Sequence, residues 1–73
     1  MKPKKEDEIL LNLGKRIVEL RKQKGLKQYD FPIDERTMRR IENETDIYNP
    51  SLLVLVKICD TLKISLSELF IDL

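Results

Sequence analysis

The chain has 73 residues, of which 14 are Lys or Arg, 13 are Asp or Glu and none is His, giving a net charge of +1. That length supports one domain with one small core, which makes dimerisation a natural source of extra stability. With no histidine, a single cysteine and two distant glycines, Gly14 and Gly25, the usual catalytic, metal-binding and phosphate-cradling constellations cannot be assembled, so no enzyme, cofactor or metal is expected.

Met1 to Lys5 (M-K-P-K-K) reads as a disordered basic arm. No sustained apolar segment follows it, so it does not read as a secretory signal. No apolar run is long enough to cross a bilayer, and a cytoplasmic setting is expected. Residues 6–73 read as a single domain. The spacing predicts a first helix from about Glu6 to Lys24, with Ile9, Leu13, Ile17 and Leu20 on one apolar stripe. Glu6, Asp7 and Glu8 at its start and Arg21, Lys22 and Lys24 at its end both suit the helix dipole. Gly25 suits the left-handed residue that ends a helix. Between Leu26 and Pro32 there is no room for a full helix. Lys27 to Phe31 fits a single helical turn, because Pro32 disfavours helical backbone at Phe31.

Ile33 to Asn43 reads I-D-E-R-T-M-R-R-I-E-N. Asp34 is placed as an N-cap, since its carboxylate can accept from free first-turn N–H groups. Glu35 follows where a negative charge suits the dipole, and the helix should run to about Asn43. Met38 and Ile41 lie three apart and share an inward face. Glu35, Arg36, Arg39 and Arg40 are left outside. A short helix that is apolar behind and arginine-rich in front suits the major groove of double-stranded DNA. The bland alternative is a solvated surface helix.

Glu44 to Pro50 reads as a loop. Ser51 caps a fourth helix running to about Leu62, with Leu52, Leu55, Ile58, Cys59 and Leu62 as its core stripe. Cys59 is expected to be a small buried apolar residue. Leu53, Val54 and Val56 make this helix apolar nearly all round, which in so small a domain points to a partner surface. The run S-L-S-E sets Ser65 and Glu68 in capping-box register at the start of a fifth helix carrying Leu66, Leu69 and Phe70. Charge is uneven: Lys15 to Lys27 holds six Lys/Arg and one Glu, whereas Glu42 onward holds two lysines and six acids. A face for an anionic partner therefore lies before Glu42.

Three stretches together resemble the phage-repressor helix-turn-helix domains of the Cro/cI (Xre) family. L-G-K-R-I-V-E-L-R-K-Q-K-G-L-K-Q, from Leu13, is similar to that family's first helix and the start of its second. I-D-E-R-T-M-R-R-I-E-N is similar to its recognition helix. N-P-S-L-L-V-L-V-K-I-C-D-T-L-K-I-S-L-S-E-L-F, ending at Phe70, is similar to its closing helices. The resemblance implies an all-α fold, a small lambda-repressor-like DNA-binding domain of four to five short helices. It implies that Arg36 and Arg40 face bases, with Glu35 beside them; arginine can bond both acceptors of guanine, and glutamate can accept from cytosine. It implies phosphate contacts from Gln28, Thr37, Arg39 and Asn43. It also implies a bridge from Arg21 to Glu42, where residues alone would suggest two solvated charges of little worth.

The chain departs from the family pattern in three places. From Gln28 to Glu42 it is about four residues shorter than the usual motif, which shortens the second helix. Phe31 is expected to replace that helix's core leucine and Ile33 the apolar residue before the cap. Glu44 stands where the family usually has glycine, so a left-handed backbone there would cost roughly 1 kcal/mol, and Lys63 stands at a second such place. Glu44 and Asp46 also put negative charge in a loop that is often basic.

The expected function is a sequence-specific, repressor-like transcriptional regulator working as a homodimer. Leu53, Val54, Leu66, Ile71 and Leu73 are the dimer candidates. A version in which the chain is an antitoxin, held by a toxin or other regulatory protein and repressing its own operon, fits the same residues. The alternative from a different class is a protein-interaction module with the fold and little DNA binding, favoured by the short second helix and the acidic loop.

Overall fold

A computed structural model describes residues 5–71 and 73. Among them are four α-helices and no strand: α1 (Lys5–Gln23), α2 (Glu35–Glu42), α3 (Leu52–Leu62) and α4 (Leu66–Leu69). A single 3-10 turn, Gln28–Asp30, lies between α1 and α2. Of the expected basic arm, Met1 to Lys4 fall outside the described residues, and Lys5 begins α1.

Each helix boundary has a local cause. Gly25 ends α1 at φ 68°, with its N–H bonding to the Lys22 carbonyl and the Leu26 N–H to the Arg21 carbonyl, both at 3.0 Å. This pair of bonds satisfies carbonyls that the helix itself leaves open. The Lys27 N–H donates to Asp30 Oδ2 at 2.7 Å and closes the 3-10 turn, after which Phe31 leaves in extended backbone ahead of Pro32. Asp34 holds the N-cap place of α2 through its carbonyl, which accepts from Met38 N–H at 3.0 Å; its carboxylate makes no capping bond. Ser51 accepts from Val54 N–H at 3.2 Å. Ser65 and Glu68 form the reciprocal capping box of α4 at 3.1 Å in each direction.

The core is one cluster drawn from all four α-helices and from Phe31, which follows the 3-10 turn. Leu13 and Ile17 of α1, Phe31, Met38 and Ile41 of α2, Leu55, Ile58, Cys59 and Leu62 of α3, and Leu69 of α4 are all buried. Ile33 packs against it from the approach to α2. Seven of these are Leu or Ile, and burying each such side chain contributes about 1.5–3 kcal/mol. Burial also pushes the Cys59 thiol above its ordinary range.

Two residues of the expected stripes stand outside this core. Ile9 is 37% exposed, because it stands one turn before Leu13, the first residue that α1 buries. Leu52 is 67% exposed, because it stands one turn before Leu55, the first residue that α3 buries.

Gly14 is a packing residue. It is buried in α1 at the crossing with α2, and a Cβ there would collide with the backbone carbonyl oxygen of Ile41. The helix that carries the arginines therefore lies directly against the backbone of α1. At the other side of α1, Arg16 donates to the carbonyls of Glu68 at 2.9 Å and Leu69 at 3.3 Å, closing the C-terminal end of α4.

Candidate nucleic-acid interface

Helix α2 has eight residues and two faces. Met38 and Ile41 are buried at 0% and 6% exposure, so Arg36, Arg39 and Arg40, on the opposite side, are exposed. Glu35 is exposed in the first turn, and Thr37 is half-buried at the edge of the face.

The mounting of this helix is polar and specific. Arg21 Nε donates to Glu42 Oε2 at 2.8 Å, and Arg21 Nη2 donates to Glu42 Oε1 at 3.0 Å. The Arg21 and Glu42 side chains keep only 12% and 7% of their surface exposed. Arg21 Nη1 also donates to the Leu26 carbonyl at 3.0 Å, and Gln28 Nε2 donates to Glu42 Oε1 at 2.9 Å. One glutamate at the end of α2 is thus held by α1 and by the 3-10 turn. A planar guanidinium matches a carboxylate in two parallel bonds, which fixes angle as well as distance. Gln28, expected on a phosphate, has its side-chain amide engaged in this clamp.

The other expected contacts are differently placed. Arg39 lines an open groove with Lys15 and Lys22 of α1 and with Glu19 and Glu44. Arg21 and Glu42 line the same groove, so four cations and three acids share its walls, with Arg21 and Glu42 already bonded to each other. Arg40 turns toward the following loop: its Nε donates to Asp46 Oδ2 at 2.9 Å, and its guanidinium carbon lies over the Tyr48 ring, 4.7 Å from the centroid. The bond to Asp46, and then its charge, hold the Arg40 guanidinium above its ordinary pKa. Asn43 accepts at Oδ1 from both the N–H and the hydroxyl of Thr45, at 2.9 and 2.8 Å.

That use of Asn43 corrects the expectation for Glu44. Among the described non-glycine residues only Lys63, at φ 60°, has the left-handed backbone. Asn43 leaves α2 in extended conformation, at φ −80° and ψ 116°, and its side-chain oxygen then turns the loop, so Glu44 has no need of positive φ.

The dimer candidates divide. Leu53 and Ile71 are exposed at 63% and 56%. Val54, Leu66 and Leu73 pack against the core instead. Arg16 and Tyr48 were not singled out from the sequence, Asp46 was read there only as a repelling charge and Gly14 only as an isolated glycine, since their roles depend on which loop or helix lies opposite them.

The sequence model of the Cro/C1-type HTH DNA-binding domain matches residues 15–72. The match spans α2, its clamp and all the later helices, and the chain belongs to that family. It is a DNA-binding regulator by class, with the second helix of the motif reduced to a 3-10 turn. No curated protein and no solved structure compared with the chain matches it. Among the described residues, no helix is long and apolar enough to cross a membrane.

Proposed function

We propose that this chain is a sequence-specific transcriptional regulator that docks α2 in the major groove of double-stranded DNA. Arg36 and Arg40, with Glu35 beside them, read base edges, and Arg39 contacts phosphate together with the lysines of its groove. Thr37 and Asn43 meet the backbone at the edges of the helix. The observation that carries this reading is the exposed arginine face of α2, set opposite Met38 and Ile41 and hung from α1 by Arg21 and Glu42. A solvated surface helix has no need of so specific a mounting.

Two copies bind a two-fold symmetric operator in the cytoplasm, with half-sites about one helical turn apart, ~34 Å. The exposed side chains of Leu53 and Ile71 supply the apolar surface between copies. Regulation follows from occupancy of the operator, which blocks or recruits polymerase by position. A gel-shift titration against random duplex at rising salt tests the reading. Binding that weakens steeply with salt supports it, and no binding even at low salt defeats it.

A further inference from the structure

We propose that Asp46 and Tyr48 are positioning residues that aim Arg40 at its base. The inference rests on the reading of α2 as the DNA-reading helix and goes beyond it, because neither residue lies on that helix.

Arg40 is held on two sides. Asp46 Oδ2 accepts from Nε at 2.9 Å, and the Tyr48 ring lies beneath the guanidinium, 4.7 Å from its carbon. A guanidinium has five N–H donors in a fixed fork. The Asp46 bond uses the one on Nε, and among the described residues nothing bonds Nη1 or Nη2. Those two nitrogens form the end of the fork that matches the paired acceptors of guanine. The Arg40 side chain remains 51% exposed, so the free end is open to a partner.

The holding groups are themselves held. The Asp46 N–H donates to the Asn43 carbonyl at 3.2 Å, within a loop already turned by Asn43 Oδ1. Tyr48 packs against the core. Ordering a free arginine at an interface carries one of the largest side-chain entropy costs. Here that cost is met in the free protein. It also accounts for an acid in a loop that should face phosphate: Asp46 is neutralised by Arg40 and acts through it. The opposite role, a latch that keeps Arg40 away from DNA, fits less well, because a latch would cover the donating end of the fork.

The experiment measures base preference rather than affinity alone. A duplex selected by the wild-type chain is compared with single-base-pair variants, using wild type, Arg40→Ala, Asp46→Ala, Asp46→Asn and Tyr48→Leu. Arg40→Ala identifies the position that Arg40 reads. Asp46→Ala and Tyr48→Leu should lower the preference at that position about tenfold and leave the others unchanged. Asp46→Asn keeps an acceptor and should retain part of the preference.

An unchanged preference at the Arg40 position in Asp46→Ala and Tyr48→Leu overturns the proposal alone. So does an equal change in affinity on every duplex, which is what a latch or simple phosphate repulsion gives. If Arg40→Ala relaxes no position, or the wild-type chain shows no base preference at all, the proposal falls together with the reading beneath it.

Discussion

Arg21 and Glu42 face each other through two parallel hydrogen bonds, 2.8 and 3.0 Å long, and between them they hang the exposed helix α2 on α1. The pair is nearly buried, and Gln28 and the Leu26 carbonyl complete its bonding. Removing one partner leaves the other charge with little solvent. Arg21→Ala and Glu42→Ala should each cost about 3 kcal/mol in urea unfolding. Arg21→Lys should recover little, because an ammonium cannot reproduce the fork. A loss below about 0.5 kcal/mol, the size of an exposed pair, would show that the clamp does not hold in solution.

Gly14→Ala gives a test of opposite sign to the usual rule. In an ordinary helix interior that change gains about 1 kcal/mol. Here the added methyl meets the Ile41 carbonyl, which is backbone and cannot swing aside. The expected outcome is a net loss of about 1–3 kcal/mol by thermal or urea denaturation, and a weakened grip of α1 on α2.

Lys63→Gly should stabilise the protein. Lys63 ends α3 at φ 60° and ψ 44°, where a side chain is strained and glycine is not. Relief of that strain, less the extra freedom glycine gives the unfolded chain, leaves a gain of up to about 1 kcal/mol. The midpoint of urea unfolding should rise with no change in slope.

The arginines of α2 should separate by their effects on DNA binding. Arg36→Ala should relax preference at one base pair, at a cost of about 1–3 kcal/mol on the preferred site. Arg39→Ala should instead weaken binding about equally on all duplexes and lower the salt slope by about 1, as the loss of the phosphate contact proposed for it would. Competition gel shifts at two salt concentrations check both.

Much of this architecture was legible in the residues. The helical stripe through Leu13 and Ile17, the glycine stop at Gly25, the serine caps at Ser51 and Ser65 and the apolar pair Met38 and Ile41 are local patterns with local causes. The all-helical repressor-like fold was carried by three such stretches in order. What the residues could not give was long-range. Gly14 looks like any helix glycine until α2 is laid across it. Asp46 looks like a repelling charge until Arg40 is seen to bond it. Gln28 was expected on a phosphate until the fold set its amide against Glu42. Asn43 replaced the expected left-handed residue by turning the loop with its own side chain. Val54, Leu66 and Leu73 looked surplus because their places against the core depend on how the helices meet.

Selection of bound sequences from a random pool of DNA duplexes tests the central claim most directly, because it reads binding, base preference and symmetry together. The account predicts enrichment of two-fold symmetric sites with half-sites about one helical turn apart, ~34 Å, and loss of preference at defined positions in Arg36→Ala and Arg40→Ala. A pool that stays random after repeated selection at low salt would contradict it.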